Sequence, residues 1–175
     1  MECLTGDWFA MRATYGRNMV AQRQLDGYGI ESFVPLRQLS IKRGRRVKIE
    51  FVPIVRDLIF VHSEREVLQQ AKLRLPYLQY ITQPIEGHNT PIVVPNEQME
   101  QFIHFCETGC DVEPLGEEIE YVVGERVRIM QGALKGIEGN LVKIHGKRTR
   151  RFSVAIEGVC AVTIEVKKED IEKIC

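Results

Sequence analysis

The chain has 175 residues, enough for one ordinary domain or two small ones. Its 24 Lys and Arg balance 24 Asp and Glu, which excludes a globally basic nucleic-acid binder and leaves any such contact to local clusters. No apolar run is long enough to span a bilayer and the N-terminus lacks a signal-peptide core, so a cytoplasmic protein with no membrane partner is expected.

Residues 8–13 read as a first strand, and Tyr15-Gly16-Arg17-Asn18 as a turn in which Asn18 caps a helix. Met19, Val20 and Leu25 mark one face of that helix, which ends at Gly27 or Gly29. Ile30, Phe33, Val34 and Leu36 form a second strand. Two alternating arms, residues 39–41 and 47–52, flank Arg43-Gly44 and predict a projecting β-hairpin with a basic tip. Residues 58–61 are a continuous apolar run, as a strand buried on both faces requires. Ser63 and Glu66 make a capping-box pattern, and Val67, Leu68, Ala71 and Leu75 give the next helix a buried stripe. Strands follow at 77–81 and 91–94, after which Met99, Phe102, Ile103 and Cys106 recur at helical spacing. This order predicts an α+β fold, a ferredoxin-like split βαβ sheet with helices on one face.

Residues 108–118 are acidic, carry Gly and Pro, and lack apolar periodicity, so they predict a linker between domains at 1–107 and 119–175. The last segment has no helical pattern. It offers short strands at 126–130, 137–144, 152–156, 160–166 and 171–174. About 55 residues with so little apolar mass lie near the lower limit for independent folding, and closure into a small SH3-like barrel removes exposed strand edges.

Gly124-Glu125-Arg126-Val127-Arg128-Ile129, followed by Gly132, Lys135-Gly136 and Glu138-Gly139, resembles the KOW motif. Ahead of it, in order, stand Trp8-Phe9, the βα unit, the basic hairpin and the buried 58–61 strand. Together they resemble the NusG family of transcription factors over nearly the whole chain, with an N-terminal NGN domain and a C-terminal KOW barrel. The short hairpin and linker are similar to specialised paralogues such as RfaH and the UpxY-type antiterminators. Before the buried strand the family usually has an aromatic-Pro-Gly/Asn-Tyr turn. Here those positions read Val55-Arg56-Asp57-Leu58, with Pro53 displaced upstream, which favours a divergent paralogue.

The resemblance implies a non-catalytic factor whose NGN domain binds the clamp helices of RNA polymerase. It implies suppression of pausing or termination in selected operons, polysaccharide biosynthesis among them. Polymerase contact is assigned to Phe9, Met11, Tyr15, Phe51, Val55 and Leu58. Upstream or non-template DNA contact is assigned to Lys42, Arg43, Arg45, Arg46 and Lys48, joined by Arg12, Arg17 and Arg23. In the KOW domain, Lys147, Arg148, Arg150 and Arg151 are candidates for a partner surface, the family's partners there being a ribosomal protein or Rho.

Each assignment has a plainer alternative. Phe9, Met11 and Phe51 suit core filling equally well, and the basic hairpin suits a solvated turn. A KOW-containing RNA-binding or ribosome-associated protein is the other reading of the whole chain, but ribosomal KOW proteins lack the β-α-β half. No enzyme is expected: the four histidines have no visible nucleophile partner and there is no phosphate loop. Five scattered cysteines (Cys3, Cys106, Cys110, Cys160, Cys175) argue against a disulfide framework. Cys106 and Cys110 lie near His104 without a second ligand pair, so neither metal nor cofactor is expected.

Overall fold

The computed structural model describes residues 6–108, 111–116 and 118–175. Cys3, Cys110 and three positions of the expected linker (109, 110 and 117) lie outside the described residues. The chain divides into two compact units, one of the described part of Met1–Pro35 with Val55–Glu100, the other of Leu36–Ile54 with Gln101–Cys175.

In the first unit β1 (Asp7–Ala13) leads through a short 3₁₀ turn to α1 (Asn18–Gly27) and β2 (Glu31–Phe33). The chain then enters the hairpin β3 (Leu36–Arg43) and β4 (Arg46–Pro53), and returns with β5 (Leu58–Ser63), α2 (Arg65–Arg74) and β6 (Leu78–Tyr80). A small ribbon, β7 (Thr82–Ile85) and β8 (His88–Pro91), precedes β9 (Val93–Val94) and α3 (Asn96–Thr108). The main sheet runs β2-β5-β1-β6, all antiparallel, with β9 on the other end of β1. This is the strand order of a ferredoxin-like split βαβ unit. Trp8, Phe9, Ala10, Met11 and Leu58 to Val61 are all buried. Consecutive residues of β1 and β5 are buried whichever face they point to, so both faces are covered and the alternation that would mark a half-exposed strand is lost.

Two expected helix caps are replaced. Asn18 is the first helical residue and Arg17 the cap. The Asn18 side chain is buried instead, its Nδ2 donating to the Leu58 carbonyl at 3.2 Å, which ties α1 to β5. At α2 the cap is Glu64, and Ser63 Oγ donates to the Glu64 carbonyl at 3.0 Å, so the Ser63–Glu66 box does not form. The burial of Leu68 and Ala71 holds the helix on its predicted stripe. The β7–β8 ribbon was not anticipated; its turn places Glu86 and Gly87 at positive φ (49° and 81°).

Besides the β3–β4 hairpin, the second unit holds a six-stranded antiparallel sheet, the SH3-like barrel. Its strands are β10 (Glu113–Pro114), β11 (Tyr121–Ile129), β12 (Glu138–Ile144), β13 (Arg151–Ile156), β14 (Cys160–Glu165) and β15 (Ile171–Lys173), in the order β10-β14-β13-β12-β11-β15. Val127, Ile129, Val142, Ile144, Phe152, Val154, Ile156, Val162 and Ile164 alternate inward to form its core. Gly139 is set by space: a Cβ there would collide with the Ser153 carbonyl and lie 2.7 Å from the Phe152 ring. Within the presumptive linker, Glu113 and Pro114 pair with Thr163 and Val162, so that stretch carries a strand of the sheet. The second half of α3 belongs to this unit. Phe105 packs on Phe152 with ring centroids 5.9 Å apart, and His104 Nε2 donates to the Ala133 carbonyl at 3.0 Å. Among the described residues no helix is long and apolar enough to cross a membrane.

Candidate functional site

Three surfaces carry the assigned residues. In the first unit, the turn after β1 and the turn before β5 are joined through Asp57. The Asp57 carbonyl accepts from Ala13 N (2.7 Å) and its Oδ1 accepts from Gly16 N (2.5 Å). Thr14 N donates to the Tyr77 carbonyl at 3.0 Å. Between these bonds Tyr15 is held at φ 62° and is 83% exposed. A non-glycine residue adopts this left-handed conformation at a cost of roughly 1–2 kcal/mol. It persists where surrounding bonds over-determine the backbone, and such strain gathers at functional sites. Asp57 is itself left-handed (φ 66°), a conformation that Asp and Asn adopt more readily than most non-glycine residues.

One guanidinium group stands near the Tyr15 ring. It belongs to Arg17 and lies 5.8 Å from the Tyr15 ring centroid and 5.2 Å from that of Tyr77. The Tyr77 hydroxyl donates to Gln24 Oε1, and burial, only partly opposed by the Arg17 charge, raises its pKa, so it remains a donor at neutral pH. Arg56 is exposed, its Nε 3.9 Å from Asp57 Oδ1, too long and too wet to occupy it. Val55 is half-buried beside it. An exposed aromatic ring on a constrained backbone, with an arginine near it, is the composition of a protein-binding hot spot.

The other three assigned polymerase contacts in this unit are corrected by burial. Phe9 (3% exposed), Met11 (0%) and Leu58 (3%) fill the core and present no side chain to a partner. Arg12, Arg17 and Arg23 are all exposed.

The second surface is the β3–β4 hairpin, closed by Gly44-Arg45 with Gly44 at φ 62°, where a two-residue hairpin turn needs glycine. Lys42, Arg43, Arg45, Arg46 and Lys48 are all exposed. Lys48 Nζ sits 2.8 Å from Glu50 Oε1, and that hydrogen bond and charge raise the ammonium's pKa. Its charge is thus partly answered, while the four others have no ion pair among the described residues. On β4, Phe51 is exposed in line with Val47 and Ile49, which sequence reasoning passed over. Their i, i+2, i+4 spacing places them on one face of the ribbon, and it was visible as alternation with Lys48 and Glu50.

On the barrel, Lys147, Arg148 and Arg150 are exposed in the loop between β12 and β13, and Arg151 is not. Its side chain is 3% exposed and lies 3.1 Å from Glu113 Oε2 and 3.6 Å from Glu165 Oε1. It also donates to Thr163 Oγ1 (2.9 Å) and the Thr163 carbonyl (3.3 Å). Arg151 belongs to the structure of the sheet, tying β10, β13 and β14, and not to a partner surface. Across β11 and β12, Glu138 accepts from Arg128 and Arg126, bonds that lower its pKa. No group of three or more His, Cys, Asp or Glu among the described residues is arranged to hold a metal ion.

A family model described as "Transcription termination factor nusG" matches residues 6–103. A solved structure from Thermotoga maritima, titled "Domain interaction in Thermotoga maritima NusG", is similar over 98% of this chain and 98% of that chain, with a TM-score of 0.53 and 17% identity. At that identity the likeness shows the fold. A search of curated proteins finds no match.

The four cations among residues 147–151 divide sharply by burial. Arg151→Ala should lower barrel stability by about 2 kcal/mol in urea unfolding, because it removes the donor to the buried Thr163 oxygens and leaves a void where the side chain packed. Arg148→Ala should stay within about 0.5 kcal/mol of the parent, as exposed positions do.

Proposed function

The chain belongs to the NusG family of transcription elongation and termination factors, which act on RNA polymerase without enzymatic chemistry, and from that premise we propose that it is a specialised bacterial antitermination factor of the cytoplasm. Its N-terminal domain docks on the polymerase clamp helices through Tyr15, Val55 and Arg56, and suppresses pausing or termination in selected operons. The observation that carries this reading is the strained, 83% exposed Tyr15, in a turn held by the Asp57 bonds and with the Arg17 guanidinium 5.8 Å from its ring centroid. A residue whose backbone is fixed before binding loses less freedom when it docks.

The effect on the polymerase is a shift of population. A factor that binds one clamp conformation better than another moves that equilibrium by its differential affinity, and a tenfold preference is worth about 1.4 kcal/mol. The basic hairpin adds phosphate contacts to upstream or non-template DNA, a contribution that needs charge and no base-reading pattern. The apolar stripe of Val47, Ile49 and Phe51 gives the same hairpin a second, protein-facing side. The barrel recruits a further partner through the exposed loop cations.

Tyr15→Gly separates contact from fold, since glycine relieves the positive φ while removing the ring. Full-length Tyr15→Gly should unfold at no lower urea concentration than the parent and bind RNA polymerase at least tenfold more weakly. Unchanged affinity would remove Tyr15 from the interface. The hairpin is tested by salt. Changing Arg43, Arg45 and Arg46 to Ala should reduce the slope of log affinity against log salt by about 2–3 on a transcribing complex, at roughly 0.9 per phosphate contact. Binding to free polymerase should keep its slope; an equal change in both assays would point to a protein contact instead.

A further inference from the structure

The barrel carries a groove of about 870 Å³ on its outer face that none of the assignments above uses as a whole. It arises from an irregularity in the sheet. β11 and β12 pair from Tyr121↔Ile144 to Val123↔Val142, and the register then shifts before Arg126↔Asn140. Gly124 lies in the shifted segment, where a Cβ would approach the Leu141 carbonyl to 3.2 Å. A strand position without a side chain leaves the floor open there. Val122, 69% exposed, and half-buried Leu141 supply an aliphatic floor.

The walls are cationic. Lys143, Arg148 and Arg150 line the groove and form no ion pair among the described residues. Lys147 is only loosely engaged, its Nζ 3.9 Å from Glu113. The single acid of the lining, Glu125, is already answered by Lys173 Nζ at 2.6 Å. The result is an uncovered apolar floor beneath at least three unanswered positive charges, in a volume that suits a few side chains of a ligand.

We propose that this groove docks an acidic segment of a protein partner, with one apolar side chain on Val122 and Leu141 and flanking carboxylates reaching Lys143, Arg148 and Arg150. Charge complementarity selects an acidic ligand. The floor selects a peptide over a nucleic acid, because bases are held on aromatic platforms and the lining contains no aromatic residue. The proposal rests on the reading that the barrel recruits a second protein, and it names the face and the chemistry of that partner.

The test uses the ¹⁵N-labelled full chain and three probes: an acidic heptapeptide with a central Leu-Phe, the same peptide with every carboxylate replaced by its amide, and a ten-residue oligouridine. The acidic peptide should shift the amides of Val122, Leu141, Lys143 and residues 148–150, and the amide analogue should bind at least tenfold more weakly. The double variant R148E/R150E, at exposed positions, should keep the remaining spectrum and lose the peptide. Tighter binding of oligouridine in the groove, or peptide shifts confined to other faces, overturns the proposal. A parallel assay of terminator read-through in cells, with and without residues 119–175, separates the two readings. If the deletion lowers read-through but the peptide does not bind, the groove assignment falls and recruitment by the barrel stands; if neither responds, both fall.

Discussion

Asp57 receives two backbone N–H bonds from the turn that follows β1, one on its carbonyl and one on its carboxylate, and its own backbone is left-handed to do so. Two segments more than forty residues apart thereby become one rigid corner. The Asn18 side chain, bonded to the Leu58 carbonyl, fastens the start of α1 to the same place. Everything exposed at this corner, the Tyr15 ring, Arg17, Val55 and Arg56, inherits its position from those few bonds. The strain at Tyr15 is small beside the entropy that a mobile loop would lose on docking.

The barrel solves a comparable problem with charge. Arg151 gathers Glu113, Glu165 and Thr163 around a nearly buried guanidinium, which draws the short β10 strand onto β14. The exposed partners of this cluster keep much of their hydration, so the arrangement avoids the full cost of burying ions. Arg148 and Arg150, immediately before it, are left without such partners. One run of basic residues thus divides into a structural member and free members, and the division follows from where β13 begins and from the reach of Glu113 and Glu165.

Much of this was legible from residue order. The alternation of residues 47–52, the continuous 58–61 run and the glycine spacing of 132–139 each report a local backbone demand, and the strands they predicted form. Their combination made the family resemblance readable before any contact was known. Features set by tertiary neighbours were not legible. Phe9, Met11 and Leu58 were assigned as contacts, yet all three lie in strands buried on both faces, which for Leu58 the continuous 58–61 run already indicated. Asn18 and Ser63 have the chemistry of helix caps, but the Leu58 and Glu64 carbonyls compete successfully for their side chains. β10 has two residues, too few for any period, and exists because β14 has an edge to pair. Arg151 is the first residue of β13 and Arg150 the last of the loop before it, a boundary that no local pattern marks.

The corner at Asp57 as a polymerase-docking element is tested most directly by site-specific photocrosslinking. A benzophenone amino acid would be placed singly at positions 15, 55 and 73 of the full chain and irradiated on a transcribing complex. Leu73, 78% exposed on α2, is the control for mere exposure. The account predicts crosslinks to the polymerase clamp helices from positions 15 and 55, and none there from position 73. Crosslinks from position 73 with silence at 15 and 55 would contradict it.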